Sequence, residues 1–278
     1  MKLTSTFLSS LVVFGAASSV QAQDWASSVE TGFFATDRFS DDTDIGEAPF
    51  YGVYIAADTT RDFGALKFSL DARLELMSDK GIDDVYQTGP LHTGVIGAHL
   101  GRQLGATYLG GYAAFGLFDG YDSEDPMKGY TIGVEAEHQL VSGISLFGQV
   151  GYAEAIGDEY DNEFKGTSAR IGVAGDLNSA VSYQLAAEYA YSADCFEDCG
   201  DQWGRYTAVS LEVSYDLSEK MELVGVARHA KITANRENKA EETNLYVGVR
   251  IPFGATKRNN LTTPMGAFQG AGWMQPLD

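Results

Sequence analysis

Hydrophobic and polar residues alternate with a period of two along almost the whole chain after Trp25. In the segment 65–76, for example, one face is apolar and the opposite face is charged or hydroxylated. The apolar face consists of Leu66, Phe68, Leu70, Ala72, Leu74 and Leu76. This period is typical of a β-strand with one apolar and one polar face, and helical spacing recurs over no long stretch. The pattern therefore predicts an all-β protein.

The alternation divides the chain into about twelve strand-like segments, most of them longer than strands of soluble sheets, which usually have about five or six residues. A tilted strand needs about 9–11 residues to cross the hydrocarbon of a membrane. The predicted strands are 26–35, 49–58, 65–77, 91–101, 106–117, 129–139, 144–155, 166–175, 181–192, 205–216, 221–233 and 242–253. Their length favours strands that span a bilayer.

Short and long connections between these segments alternate along the chain. The short connections lie around 62–64, 102–105, 141–143, 177–179 and 218–220, and the long ones at 36–48, 78–90, 119–128, 157–165, 193–204 and 235–241. Membrane-spanning barrels sort their connections in this way, with short turns on the periplasmic side and long loops outside. The chain is therefore predicted to be a transmembrane antiparallel up-and-down β-barrel with both termini on the short-turn side.

Aromatic residues recur near the ends of the predicted strands, where an apolar ring would meet the polar rim of a bilayer. They are Trp25, Phe50, Tyr51, Phe118, Tyr130, Tyr152, Trp203, Tyr206, Tyr215 and Phe253. We expect these side chains to form interfacial girdles on the outside of the barrel.

Acidic residues dominate the charge of the protein. The 278 residues include 39 Asp and Glu against 19 Lys and Arg, a net charge of -20. More than half of the acidic residues fall in the long connections. A nucleic-acid-binding protein needs clustered basic residues to neutralise phosphates, and the chain has no such cluster. Nucleic acid is therefore excluded as a partner.

The N-terminus has the organisation of a secretory signal peptide. Met1-Lys2 supplies a positive start, 7–17 an apolar core, and Val20-Gln21-Ala22 a small-residue cleavage site. We expect residues 1–22 to be removed. In an exported chain, the close pair Cys195 and Cys199 predicts a disulfide, and a metal site that uses both thiolates is the weaker alternative.

The last predicted strand carries an aromatic residue, a glycine two positions later, and hydrophobic residues five and seven positions after the first. These positions are Tyr246, Gly248, Ile251 and Phe253. The pattern resembles the C-terminal assembly signal of Gram-negative outer-membrane β-barrels, and with the signal peptide and hairpins it resembles the porin-like members. The resemblance implies a barrel domain over 23–253, located in the outer membrane among lipid and lipopolysaccharide and inserted by the barrel assembly machinery.

The chain departs from this family pattern because 25 residues follow the terminal aromatic residue, Phe253. Residues 254–278 are expected to form a periplasmic C-terminal tail. A plug that returns into the lumen and a contact surface for a partner are the two alternatives.

The polar faces of the predicted strands supply candidate pore-lining residues. They are Lys67, Asp71, Arg73, Glu75, Glu135, Glu137, Arg170, Gln184, Glu188, Glu212, Asp216 and Arg250. Charged side chains of this kind would wet a lumen and set its ion preference. Acids outnumber bases in the set, so we expect a channel for passive diffusion of small hydrophilic solutes with a mild cation preference. It needs neither a cofactor nor a metal.

Three other functions remain open from the sequence. The lumen can be closed by ion pairs, in which case the acidic external loops would bind divalent cations, lipopolysaccharide or a partner. A membrane-embedded hydrolase would need Ser and His within hydrogen-bond reach, but none of the four histidines has a Ser two positions later. The histidines are His92, His99, His138 and His229. A secreted β-sandwich would bury the apolar faces in a second sheet, and an enzyme is not expected.

Overall fold

The computed structural model describes residues 25–40, 50–78, 92–118, 127–141, 143–156, 163–195, 204–234, 238–254 and 260–264. Within these ranges the chain forms twelve β-strands. They are β1 (Trp25–Ser40), β2 (Phe50–Phe63), β3 (Leu66–Ser78), β4 (His92–Leu104), β5 (Thr107–Phe118), β6 (Met127–Val141), β7 (Ile144–Ile156), β8 (Glu163–Asp176), β9 (Val181–Cys195), β10 (Gly204–Ser218), β11 (Met221–Ala234) and β12 (Asn238–Phe253). All twelve predicted strands are present.

The twelve strands form one closed antiparallel barrel in which each strand pairs with its neighbours in the sequence. The barrel closes between its first and last strands, where pairs run from Ser27 with Phe253 to Ser40 with Ala240. Closure gives the edge backbone groups of both strands a hydrogen-bonding partner, which is essential in lipid because no water is available there. The predicted up-and-down barrel is confirmed, and the sandwich alternative is wrong.

Several strands are longer than the sequence predicts. β1 continues to Ser40 and β2 to Phe63, five residues beyond the predicted ends of both. The added residues keep their pairing, as between Arg61 and Phe68 and between Arg38 and Glu242. Backbone pairing continues through residues whose side chains break the apolar alternation, so the alternation marks only the part of each strand that faces the apolar region.

Tight turns at one end of the barrel connect consecutive strands. Gly64, Gly105 and Gly143 have φ angles of 68°, 62° and 83° in the turns after β2, β4 and β6. Residues with side chains rarely adopt positive φ, whereas glycine does so at little cost. These glycines therefore allow the short hairpin turns that the sequence predicts.

The barrel is apolar outside and polar inside. Phe33, Val134 and Ile171 on the outer face are 66–73% exposed. Glu135, next to Val134 in the chain, faces inward and is only 4% exposed. A contiguous apolar surface of this kind requires lipid around it, and the arrangement is typical of a transmembrane barrel.

Aromatic side chains stand on the outer face near the strand ends. Tyr51, Tyr130, Tyr215 and Phe253 are between 42% and 61% exposed, as expected for residues of an interfacial girdle. The expectation for Tyr206 is wrong, because its side chain points inward and is only 1% exposed. In the part of the chain that the structure describes, no helix is long and apolar enough to cross a membrane.

Some predicted features fall outside the described residues. These are the signal peptide at 1–22, Cys199 of the predicted disulfide, and most of the acidic long connections. Cys195 is the last residue of β9.

Candidate functional site in the barrel interior

The predicted pore-lining residues all lie at strand positions that face the interior of the barrel. Eleven of them are buried or half-buried while the apolar residues beside them face outward. Asp216 is the exception, because it lies near the short-turn end of β10 and is exposed. The structure brings most of these residues into four clusters, each of which also contains residues that the sequence analysis did not select.

The first cluster surrounds Arg250 on β12. The guanidinium lies 2.6 Å from a carboxylate oxygen of Glu30, 2.8 Å from Glu212 and 3.2 Å from Glu222. The Tyr54 hydroxyl donates to the second oxygen of Glu30 at 2.8 Å. One cation therefore holds together three carboxylates from β1, β10 and β11, so Arg250 cross-links the closing strands from within.

The second cluster places Arg73 of β3 among aromatic rings. Its Nε donates to Glu75 at 2.7 Å, and its guanidinium carbon lies 4.6 Å from the ring centre of Tyr54 and 4.8 Å from that of Tyr246. Tyr246 also stacks on Phe34, with ring centres 5.2 Å apart. Cation–π contacts of a partly exposed guanidinium stabilise such an arrangement by about 1 kcal/mol, so this cluster helps to pack one part of the interior.

The third cluster joins two arginines through one carboxylate. Glu188 of β9 lies 3.0 Å from Arg228 Nη2 and 3.6 Å from Arg170 Nε. Arg228 also donates to the Tyr206 hydroxyl, and Arg170 lies 5.1 Å from the ring centre of Phe147. Tyr206 lies on the same face of β10 as Glu212, so the period of the strand turns it inward, and this hydrogen bond satisfies its hydroxyl there.

The fourth cluster is centred on His99 of β4, which is 2% exposed. Its Nε2 lies 2.6 Å from Asp71 and its Nδ1 lies 2.8 Å from Glu135. Glu135 also accepts hydrogen bonds from the Tyr108 hydroxyl at 3.0 Å and the Gln149 amide at 3.1 Å. Both ring nitrogens of His99 therefore face carboxylates, which leaves neither to activate a serine hydroxyl as a hydrolase would need.

Residues 260–264 of the C-terminal region lie inside the barrel against these clusters. The Asn260 side chain donates to Glu137 at 2.8 Å, and the Thr262 carbonyl accepts from Arg170 at 3.3 Å. Leu261 is 3% exposed. These five residues therefore contact the interior wall of the barrel. Residues 255–259 and 265–278 lie outside the described residues, so the periplasmic tail expected over 254–278 stays a prediction.

A cavity of about 230 Å³ remains beside this segment. It is lined mainly by β1–β3 and β9–β12, and Thr262 and Thr263 also contribute to its wall. Its charged lining residues are Glu30, Asp58, Asp71, Glu75, Glu188, Glu212, Glu222, Arg73, Arg170, Arg228 and Arg250. Seven carboxylates thus face four guanidinium groups. Among the described residues, no group of three or more His, Cys, Asp or Glu could hold a metal ion.

Several charged or ionisable residues of this interior were not predicted as pore-lining; those of the clusters and the cavity include Glu30, Asp58, His99, Glu222 and Arg228. Glu30 and Asp58 lie in predicted strands, where their charge alone could have indicated that they face the interior. In β4 and β11 apolar residues occupy both faces, so the alternation does not show which face points inward. The inward direction of His99, Glu222 and Arg228 therefore could not be predicted.

Comparison with known proteins gives structural likeness without sequence likeness. No family model and no curated protein matches the sequence. An outer-membrane channel from Pseudomonas putida F1 is similar in structure, with a TM-score of 0.61 and 10% identity over 83% of this chain and 96% of that one. The translocator domain of the autotransporter NalP from Neisseria meningitidis has a TM-score of 0.49 and 11% identity, covering 90% of this chain and 96% of its own.

The fold is that of an outer-membrane β-barrel. Its apolar exterior and polar interior are those of a transmembrane barrel, which agrees with the predicted place in the outer membrane. The four residues of the predicted assembly signal divide between its two faces. Tyr246 and Gly248 face the interior, whereas Ile251 and Phe253 are 41% and 50% exposed on the lipid-facing side. A recognition role for these residues remains a prediction.

Proposed function

We propose that the protein is an outer-membrane channel for passive diffusion of small hydrophilic solutes. The observation that carries this proposal is the cavity of about 230 Å³ within the closed barrel, lined by ionisable side chains. Charged walls keep such a space hydrated, and a hydrated space is the condition for diffusion of polar solutes. Likeness in fold to an outer-membrane channel supports the proposal.

The ionised lining of the cavity favours cations over anions. Seven carboxylates and four guanidinium groups leave an excess of negative charge along the cavity. A constriction with one sign of charge and low-dielectric walls concentrates counter-ions of the opposite sign. The channel is therefore expected to be mildly cation-preferring.

The test is a planar-bilayer recording of the full-length refolded protein under a potassium chloride gradient. The expected result is stepwise conductance with a reversal potential shifted towards that of potassium. Asp58→Asn removes the charge of one lumen carboxylate with little change in side-chain shape, and it should reduce the shift of the reversal potential. Glu154→Gln removes a carboxylate from the outer face of β7, where it accepts from Tyr130 at 2.6 Å, and should leave the shift unchanged.

The second candidate is a barrel whose lumen is blocked, since ion pairs and residues 260–264 occupy much of the interior. In that case the function would lie in the acidic external loops, which would bind divalent cations, lipopolysaccharide or a protein partner. Correctly folded protein that shifts in gel mobility on heating but gives no conductance would overturn the channel and favour this role. Calcium calorimetry would then test the loops directly.

A further inference from the structure

The interior wall provides an apolar pocket for a single side chain of the C-terminal segment. Leu261 forms one buried cluster with Tyr108, Phe147, Ala174 and Ala186, contributed by β5, β7, β8 and β9. The two alanines, both almost fully buried, leave the space that the leucine side chain fills. An apolar pocket that faces the lumen is stabilised when an apolar group covers it, because water would otherwise contact the exposed rings.

Polar groups of the wall bind the backbone on both sides of this leucine. The Gln184 amide donates to the Asn260 carbonyl at 3.2 Å. The Thr262 carbonyl accepts from Gln149 at 3.1 Å and from Arg170 at 3.3 Å. Hydrogen bonds to backbone carbonyls are the means by which proteins bind peptide segments irrespective of their side chains, while pockets select particular side chains.

The opposite end of the segment is held by β3 and β4. The Thr263 amide lies 3.3 Å from both carboxylate oxygens of Asp71, and its hydroxyl lies 3.2 Å from Asp71 Oδ1. A methyl group on Gly97 would lie 1.9 Å from the Thr263 hydroxyl oxygen, far inside contact distance. The wall is therefore shaped to receive Thr263, since a Cβ at position 97 would collide with the Thr263 hydroxyl oxygen.

We propose that the barrel interior contains a peptide-binding site and that residues 260–264 are its resident ligand. The site takes an extended polypeptide segment with a leucine between hydrogen-bonding residues. Its occupation narrows the lumen along β3–β9 and leaves the charged cavity as the remaining path. The narrowing effect rests on the proposed channel function, whereas the binding site does not depend on it.

Cross-linking tests the binding site without any transport measurement. A Cβ at Gly97 would lie 3.3 Å from the Thr263 Cβ, close to the average of about 3.8 Å in disulfides. Thr263→Cys removes the hydroxyl oxygen with which this Cβ would collide. Gly97→Cys with Thr263→Cys, in a chain carrying Cys195→Ser and Cys199→Ser, should therefore form an intramolecular disulfide that shifts the mobility of the denatured protein until it is reduced.

The matched control pairs Thr263→Cys with Gly225→Cys in the same background. Gly225 lies on β11, where an added Cβ meets no atom within 4 Å. Its position between inward-facing Val224 and Val226 turns it towards lipid, so this pair should not cross-link. Folded protein in which the Gly97→Cys pair also fails to cross-link would overturn the binding site.

Conductance tests the narrowing effect in the full-length chain. Leu261→Asp places a charge in the apolar pocket and should release the segment, giving a severalfold larger conductance than wild type. A synthetic peptide with the wild-type sequence 255–269, added on the short-turn side, should restore the smaller conductance, and the same peptide with Leu261→Asp should not. If the Gly97→Cys and Thr263→Cys pair cross-links but Leu261→Asp leaves the conductance unchanged, the narrowing effect is overturned.

A second variant tests the narrowing effect in case Leu261→Asp fails to fold. Gly97→Ala should displace Thr263 and enlarge the conductance, whereas Gly225→Ala should behave as wild type. Failures of the two proposals are distinguishable. If the cysteine pair cross-links but no variant conducts, the channel function is overturned and the binding site stands. If the protein conducts but the pair does not cross-link, the binding site is overturned and the channel function stands.

Discussion

Asp71 and Thr263, 192 positions apart in the chain, meet inside the barrel. The Thr263 hydroxyl donates to Asp71 Oδ1 at 3.2 Å, and the same oxygen lies 2.6 Å from His99 Nε2. The C-terminal segment is therefore tied to the His99 cluster through one shared carboxylate. Removal of His99 should affect both the wall of the barrel and the segment that it holds.

His99→Ala is expected to destabilise the barrel by about 3–5 kcal/mol, because it leaves Asp71 and Glu135 as uncompensated buried carboxylates. The measurement is the free energy of unfolding by urea in lipid vesicles. Adding Glu135→Gln to His99→Ala should recover part of the loss, since it removes one of the two unpaired charges.

The control for this prediction is His138→Ala. His138 is exposed and its Nδ1 lies 2.8 Å from the Thr107 hydroxyl near the short-turn end. Surface substitutions of this kind usually change stability by less than about 0.5 kcal/mol. Equal losses for His99→Ala and His138→Ala would contradict the role assigned to the buried cluster.

The alternation of residues along the chain predicts the barrel well but says little about its interior contacts. In β3 the apolar face is continuous, so the inward direction of Asp71, Arg73 and Glu75 follows from the sequence. The partner of Asp71 does not follow, because Thr263 lies after the last strand in a region without alternation. Contacts between distant segments depend on the barrel radius and on which small residues leave room, and neither has a local pattern.

Arg250→Gln is expected to increase the cation preference of the channel and to lower its stability. The substitution leaves Glu30, Glu212 and Glu222 without the guanidinium they share, so their charge is no longer balanced within the lumen. The reversal potential under a potassium chloride gradient measures the first effect, and the urea midpoint measures the second.

Lys220→Gln makes the same change of charge at the exposed turn between β10 and β11. It should leave both the reversal potential and the urea midpoint close to wild type. If Arg250→Gln shifted the reversal potential towards chloride instead, the carboxylates of the Arg250 cluster would not control the ions in the lumen.

Gly248→Ala is expected to disrupt the junction between β12 and β1. An added Cβ would lie 2.2 Å from the Tyr54 hydroxyl and 2.7 Å from the Thr31 carbonyl oxygen. Tyr54 would have to move and lose its hydrogen bond to Glu30, and the backbone at Thr31 cannot yield as a flexible side chain can. The urea midpoint should fall in Gly248→Ala and remain near wild type in Gly225→Ala, which meets open space. Equal midpoints would show that close packing at the closing strands is unimportant.

The outer face provides the most direct test of the position in the membrane. Val150 lies at the centre of β7 and is 58% exposed, so the bilayer midplane should surround it. Val150→Arg should therefore lower the free energy of unfolding in vesicles by about 2–4 kcal/mol, whereas a charge near the interface lowers it by only about 0–1 kcal/mol.

Leu177→Arg is the matched control, because Leu177 is 67% exposed in the turn after β8 and lies at the short-turn end of the barrel. The two variants introduce the same charge at exposed apolar positions, one in the middle of a strand and the other in a turn at the end of the barrel. A large penalty at Val150 with a small one at Leu177 follows only if hydrocarbon covers the middle of the strands. Similar penalties at both positions would mean that water or protein covers this surface, and the channel proposal would fail with it.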